Sequence, residues 1–356
     1  MHAYQIKQNL DNLDQLAGCL TQVPDPKPAE NQVLIDIKCA GMNFFDTLQV
    51  RGLYQDQPPF PFIPGAEFSG VISKESPIPK GCHFVPGKTR VFGTTQGSYA
   101  TKACVAWDKL IEIPPGLDFE RSAGIFVTYP TSYASLINRG KLKKGEWCLV
   151  HAAAGGVGIA AVQIAKAVGA RVIATASSQE KLEFVRKYGG LSDKDFTLVY
   201  DDTPAPSANG PKKKASMLQW QAQVLKITQG KGVDVVFDPV GILNKSLKVA
   251  AYDCRLVVVG FAGGQIEKVP ANLLLLKNAT VTGVFWGATV KKEPEEWVKV
   301  WAALLELINR GQIRPVLHTK IYNGLEALPD GLKDLGSRKV LAKAILRIDS
   351  HPQSKL

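Results

Sequence analysis

The sequence predicts a two-domain α/β protein, in which a partly barrel-like β domain is joined to a doubly wound parallel sheet. Three observations carry that expectation. The first is length: 356 residues are ample for two hydrophobic cores. The second is a change of texture near residue 125. Before it the chain is rich in proline, glycine and alternating apolar positions; after it, short apolar runs alternate with helical stretches. The third is the stretch His151-Ala-Ala-Ala-Gly-Gly-Val-Gly158, which lies between a strand-like run and a helix-like one.

In the β domain, the segments 32–38, 68–73, 89–92 and 98–102 read as strands, and Pro24, Pro26, Pro28, Pro58, Pro59, Pro61 and Pro64 punctuate the loops. Beyond residue 125, six apolar runs follow at 146–150, 170–175, 196–200, 233–237, 255–259 and 279–285. Helical stretches at 159–168 and 179–188 separate the first three. Six short strands with intervening helices give a doubly wound sheet. Segment 295–310 has a helical period, with Trp297, Trp301, Leu304, Leu305 and Ile308 on one face, and reads as core packing. The last fifty or so residues are turn-rich again and are expected to rejoin the first domain. The expected division is 1–124, 125–290 and 291–356. Segment 202–218 has no apolar period and reads as a surface loop.

Composition excludes several classes. A mean hydropathy of −0.02 and the lack of any long apolar run argue against a membrane span. The N-terminus carries no secretory pattern. The six cysteines are scattered with no C-x-x-C pair, which argues against a disulfide framework or a four-cysteine zinc lobe and for a reducing compartment. The net charge of +11 permits anionic partners, but the basic residues are dispersed and no aromatic–basic motif accompanies them. Nucleic acid is therefore not expected as a main partner. Pro86-Gly-Lys-Thr89 has the flavour of a phosphate loop, but the spacing from Gly81 is one residue too long and the context is β-rich.

The hub at 151–158 reads as a dinucleotide-binding turn. Ala153, Gly155 and Gly158 occupy the three glycine slots of G-x-G-x-x-G. Small residues let the backbone approach a pyrophosphate, and the N–H groups at the helix start accept its charge. An NAD site places an acid at the end of the second strand for the ribose 2′-hydroxyl. Here that place holds Thr175-Ala-Ser-Ser178, with Lys181 following on the next helix. NADPH is the expected cofactor.

On these motifs the chain resembles the medium-chain dehydrogenase/reductase superfamily, in its zinc-free quinone oxidoreductase (zeta-crystallin-like) branch. The likeness rests on Ala40-Gly-Met-Asn-Phe-Phe-Asp46, Pro64-Gly-Ala-Glu-Phe-Ser-Gly70, and the segments 151–158, 233–241 and 257–261. It spans nearly the whole chain apart from 202–218 and the last few residues. The resemblance implies a GroES-like catalytic domain, a Rossmann domain, and homodimers paired through the sixth Rossmann strand. It implies Asn43, Asp46 and Tyr54 as polar residues lining the catalytic cleft, with Asp46 equally suited to organising its own loop. It implies Thr131, Ala154, Gly155, Gly156 and Val157 around the cofactor turn, and Ser177, Ser178, Lys181 and Tyr200 at the ribose and 2′-phosphate. Gly260, Phe261, Phe285 and Trp286 follow along the cofactor, Trp286 being either a wall for the nicotinamide or an interface aromatic. Zinc-dependent alcohol dehydrogenases of this superfamily use a cysteine where this chain has Asn43 and a histidine where it has Ala66. No metal is therefore expected, since a catalytic zinc needs about three protein ligands.

The activity implied is NADPH-dependent reduction of quinones or α,β-unsaturated carbonyls. Leu48 stands where close relatives carry a tyrosine, which weakens the quinone option. An enoyl-thioester reductase and a non-catalytic nucleotide- or RNA-binding protein remain as alternatives. The chain ends Ser354-Lys-Leu356, a tripeptide read by the peroxisomal import receptor at a free C-terminus. The expectation is a peroxisomal protein, with a cytoplasmic one as the alternative.

Overall fold

A computed structural model of the chain describes residues 1–205 and 217–348. It forms two units: Met1–Val127 together with the chain from Leu317, and Thr128–Val316.

The first unit begins with a short antiparallel pair, β1 (His2–Tyr4) and β2 (Leu20–Gln22). Then come β3 (Gln32–Met42), β4 (Glu67–Ile72), β5 (Arg90–Thr94), β6 (Lys102–Ala106) and β7 (Ile111–Glu112). β3 is the organising strand. Its Val33, Ile35 and Ile37 point into the core with Phe68 and Ile72 of β4, as the period of two requires. Burying each such side chain contributes about 1.5–3 kcal/mol. β3 pairs antiparallel with both β4 and β6, so the sheet branches and curls as an open barrel does. The strand expected at 98–102 is displaced to Lys102–Ala106. The reason is competition: residues 99–101 are taken by the N-terminal strand, through Tyr4 N–H to Tyr99 O at 3.1 Å and Thr101 N–H to His2 O at 2.9 Å.

The second unit holds β8 (Trp147–Val150), β9 (Arg171–Ala176), β10 (Phe196–Val199), β11 (Val233–Asp238), β12 (Ala250–Val258) and β13 (Thr280–Gly283). All pairings are parallel, in the order β10-β9-β8-β11-β12-β13. This is the doubly wound arrangement expected, and β8 and β11 are buried along their whole length because helices cover both faces. The helix Gly156–Val168 packs Ile159, Val162 and Ile164 into the core and stops at Gly169, whose φ of 84° is the left-handed conformation that glycine adopts without strain. The helix Gln179–Tyr188 starts where the Ser178 hydroxyl accepts from Lys181 N–H.

The helix Pro294–Asn309 buries Trp297, Val300, Trp301 and Leu304 and belongs to this second unit. The return to the first unit therefore comes at Leu317, not at 291, because the apolar stripe that ends the Rossmann part lies beyond the sixth strand. The first crossing, at 127/128, falls three residues after the expected 124. The chain then adds β14 (Tyr322–Asn323) and β15 (Ala344–Arg347), the latter antiparallel to β3. Most of the 202–218 insertion and the Ser354–Leu356 tripeptide lie outside the described residues. Among the described residues, no helix is long and apolar enough to cross a membrane.

Candidate active site

In the second unit the expected cofactor residues follow the carboxyl ends of the strands, as ligand-binding residues of doubly wound sheets do. Ala154 to Val157 follow β8, Ser177 and Ser178 follow β9, and Tyr200 follows β10. Gly260 and Phe261 follow β12, and Phe285 and Trp286 follow β13. After β8 the chain turns through Ala152, whose φ of 47° is left-handed. A Cβ on Gly158 would meet Ala152 O at 2.2 Å, so only glycine fits where helix and turn close on each other. Among the described residues no side chain caps the helix at Gly155, which leaves the first-turn N–H groups open. That combination of a close backbone approach and an open helix start has the geometry that accepts a pyrophosphate in doubly wound folds.

His151 holds the turn from behind. Its ring is buried and lies 2.9 Å from both Thr175 Oγ1 and Ser246 Oγ. The Ser246 hydroxyl donates its own proton to Ile242 O at 3.0 Å, so it accepts from His151 Nε2–H, and Nδ1 is left to accept from Thr175. Burial pushes the imidazole down to about 4, so it is neutral. Asp238 ends β11 and accepts three backbone N–H bonds, from Val240, Gly241 and Ile242 at 2.7–2.9 Å, which shapes the next loop.

At the end of β9 the Lys181 ammonium donates to Ser177 Oγ at 3.1 Å. Tyr200 N–H bonds Ala176 O at 2.7 Å, which ties its backbone to the end of β9, and its ring stacks on Trp220 with centroids 5.5 Å apart. Its hydroxyl accepts from Lys245 Nζ at 3.3 Å, and Lys245 also pairs with Asp202 at 2.5 Å. Thr131 lies on the helix Thr128–Tyr133 and its carbonyl accepts from Ser135 Oγ. Trp286 is buried, whereas Phe285 and Phe261 are exposed.

In the first unit, the three expected catalytic residues divide by what their polar atoms do. Asn43 precedes the helix Phe44–Gln49, and its side chain is spent inward. Nδ2 donates to Glu67 Oε1 at 2.9 Å, and Oδ1 accepts from Lys343 Nζ at 2.6 Å. Lys343 also pairs directly with Glu67, and both are buried. Asp46 accepts on Oδ2 from Asn43 N–H at 2.7 Å and from the Tyr99 hydroxyl. Burial pushes the Asp46 carboxyl up to about 7. Tyr54 is half-buried and stacks on Phe45 with centroids 5.2 Å apart. Its hydroxyl has no partner in the described residues, and burial holds it above the usual phenol range, so it remains a proton donor.

Residues 29–115 match the alcohol dehydrogenase GroES-like domain family, and residues 156–306 match the zinc-binding dehydrogenase family. The chain is 33% identical over 332 residues to quinone oxidoreductase-like protein 2 of Rattus norvegicus, covering 91% of this chain and 87% of the relative. It belongs to the medium-chain dehydrogenase/reductase superfamily, in the quinone oxidoreductase branch. A solved structure of a probable oxidoreductase from Mycobacterium abscessus is 32% identical and superposes with a TM-score of 0.81 over 98% of both chains. The quinone oxidoreductase of Escherichia coli complexed with NADPH is 26% identical, with a TM-score of 0.79 over 98% of this chain and 100% of that one.

Against that oxidoreductase fold, sequence reasoning missed Glu67, Tyr99 and Lys343 as members of the Asn43 cluster, and His151, Asp238 and Lys245 as supports of the cofactor corner. Asp238 lies in a motif that already marked the family, so its turn role was within reach. Lys343 gave no signal, because it is 300 residues from Asn43 in the chain.

Proposed function

We propose that the protein is an NADPH-dependent oxidoreductase that reduces quinones or α,β-unsaturated carbonyls by hydride transfer without zinc. The observation that carries this reading is the uncapped helix start behind the Gly155–Gly158 turn, with Lys181 at a corner that has no carboxylate between Thr175 and Ser178. The NADPH complex of the Escherichia coli relative supports it. Ala154 to Val157 would hold the pyrophosphate, and Lys181 with Tyr200 the 2′-phosphate and ribose. When bound, the cofactor supplies the hydride. Of the three expected catalytic residues, Tyr54 is the one whose hydroxyl has no partner among the described residues, and it is the candidate donor for the carbonyl oxygen, where negative charge develops. Asn43 serves by holding its loop, since its own amide is already bonded to Glu67 and Lys343.

The donor set does not fit zinc. The Asn43 amide is a poor ligand and Ala66 offers none. Glu67, the remaining oxygen donor, is already paired with the Lys343 ammonium, which occupies the place of a cation. Reduction of a conjugated carbonyl would tolerate this, because a hydride added at the far carbon would leave its charge on the carbonyl oxygen, where a hydrogen-bond donor suffices, and a proton from that donor or from water would complete the reduction. A homodimer paired through β13 is supported by its position: among the described residues it pairs with β12 alone. The C-terminal Ser354-Lys-Leu356 supports a peroxisomal location, which a fluorescent fusion to residues 345–356 tests. The activity itself is tested by NADPH oxidation against quinones, enals and enoyl thioesters. Turnover with quinones or enals is the expected result; activity confined to enoyl thioesters would change the substrate class, and tight NADPH binding without any turnover would favour a non-catalytic role.

A further inference from the structure

Lysine is rarely buried, and Lys343 is 4% exposed. Its partner Glu67 is fully buried, and the chain makes room for the pair at two glycines. A Cβ on Gly41 would lie 2.8 Å from the Glu67 side chain, and a Cβ on Gly124 would lie 2.8 Å from Lys343 Cγ. The pair's hydrogen bonds reach unusual places. Glu67 Oε2 accepts from Val127 N–H at 2.9 Å, and Val127 is the last residue before the chain leaves for the second unit. Leu317, the first residue after it returns, forms a backbone bridge with Lys343, and His318 N–H bonds the Lys343 backbone carbonyl at 2.8 Å, so the same residue that carries the buried ammonium holds the returning chain by its main chain. The third arm is the Asn43 amide, held by both charges.

We propose that Lys343 is a positioning residue of the reductase: the buried Glu67–Lys343 pair anchors, at one point, both chain crossings between the units and the Asn43–Asp46 loop, and thereby sets turnover and not cofactor affinity. The proposal rests on the oxidoreductase reading. Its physical basis is that a buried charge pair tolerates little displacement, since moving either partner strips the other of its compensation. The pair lies wholly in the first unit, whereas the pyrophosphate cradle lies wholly in the second. Loss of the anchor should therefore loosen the loop and the crossings while leaving NADPH binding intact.

The test compares the wild-type chain with Lys343→Met, Lys343→Arg and the double variant E67Q/K343M. The single Met variant leaves Glu67 uncompensated and is the one at risk of misfolding; the double variant removes both charges and keeps the test alive. Three quantities are read: kcat, NADPH affinity by fluorescence titration, and hydrogen exchange at the Asn43, Val127 and His318 amides. The folded double variant should lose about a hundredfold in kcat, the scale of an ångström-level misplacement. Its NADPH affinity should stay within about twofold of wild type, as expected when only steps after binding are affected. Exchange at all three amides should accelerate, and Lys343→Arg should recover most of both losses. Unchanged kcat and exchange in the double variant would overturn the proposal, as would a loss of NADPH affinity that matches the loss of kcat. If the wild-type chain turns over no acceptor, the oxidoreductase reading and the claim about turnover have failed, and exchange at Val127 and His318 still decides whether the pair anchors the crossings.

Discussion

The imidazole Nε2 of His151 lies 2.9 Å from the hydroxyl of Ser246, 95 residues further along the chain. Through that contact the cofactor turn after β8 is braced against the loop and helix after β11, and through Thr175 it is braced against β9. The ring is neutral because burial holds it down to about 4.

In the unfolded chain the same ring titrates near its ordinary value of about 6.5. Below that pH the unfolded state takes up a proton that the native state refuses, so the His151 contribution is full above about 6.5 and is lost as pH falls toward 4. Asp46 works in the other direction. Its native carboxyl is raised to about 7, so its contribution is full below the ordinary carboxylate value and is lost as pH rises through 7. The two largely offset in the wild-type chain. Relative to wild type, Asp46→Asn should lose stability on going from pH 7 to pH 5, and His151→Gln should gain over the same step. Denaturant unfolding at the two pH values measures both, with a slope of about 1.4 kcal/mol per pH unit as the ceiling for one proton. Parallel curves for all three proteins would refute the assignment.

Lys181→Ala should raise the Michaelis constant for NADPH by about tenfold or more, the worth of a charge-assisted hydrogen bond to phosphate. NADH has no 2′-phosphate and should be almost unaffected. Equal effects on the two cofactors would remove Lys181 from the 2′-phosphate site.

The two glycines of the turn should respond differently. Gly158→Ala drives a Cβ to 2.2 Å from the Ala152 carbonyl oxygen, so it should destabilise the second unit by about 1–3 kcal/mol, seen as a lower Tm. Gly155→Ala meets nothing nearer than 3.4 Å and should leave Tm unchanged. On the proposed reading Gly155 opens the pyrophosphate turn, so an added methyl there should weaken NADPH binding by about tenfold, the value of one hydrogen bond to a charged group. Undisturbed NADPH affinity in Gly155→Ala would show that the pyrophosphate does not approach there.

Metal analysis of the purified protein should find well under one zinc per chain, and a chelator should leave turnover unchanged. Installing the missing ligands in Asn43→Cys/Ala66→His should still fail to recruit zinc while Lys343 occupies the cation position beside Glu67. Stoichiometric zinc in the wild-type chain would overturn the metal-free reading.

The sequence by itself determined the doubly wound sheet and its cofactor turn. Those features are written in local periods: apolar runs such as 146–150 and 170–175, and a glycine turn between strand and helix. Local signals misplaced the return to the first unit, because an amphipathic helix at 294–309 states that it buries one face but not which core receives it. They also misplaced the strand at 98–102, where two segments compete for one set of backbone groups. What only the tertiary structure decided is the company kept by Asn43. Its loop was legible from the motif, yet Glu67 opens β4 and Lys343 stands just before β15, and a charge deep in a core is stable only when its counter-charge and hydrogen bonds arrive together. No stretch of sequence near Lys343 reports that partner, because the condition is met across the fold and not along the chain.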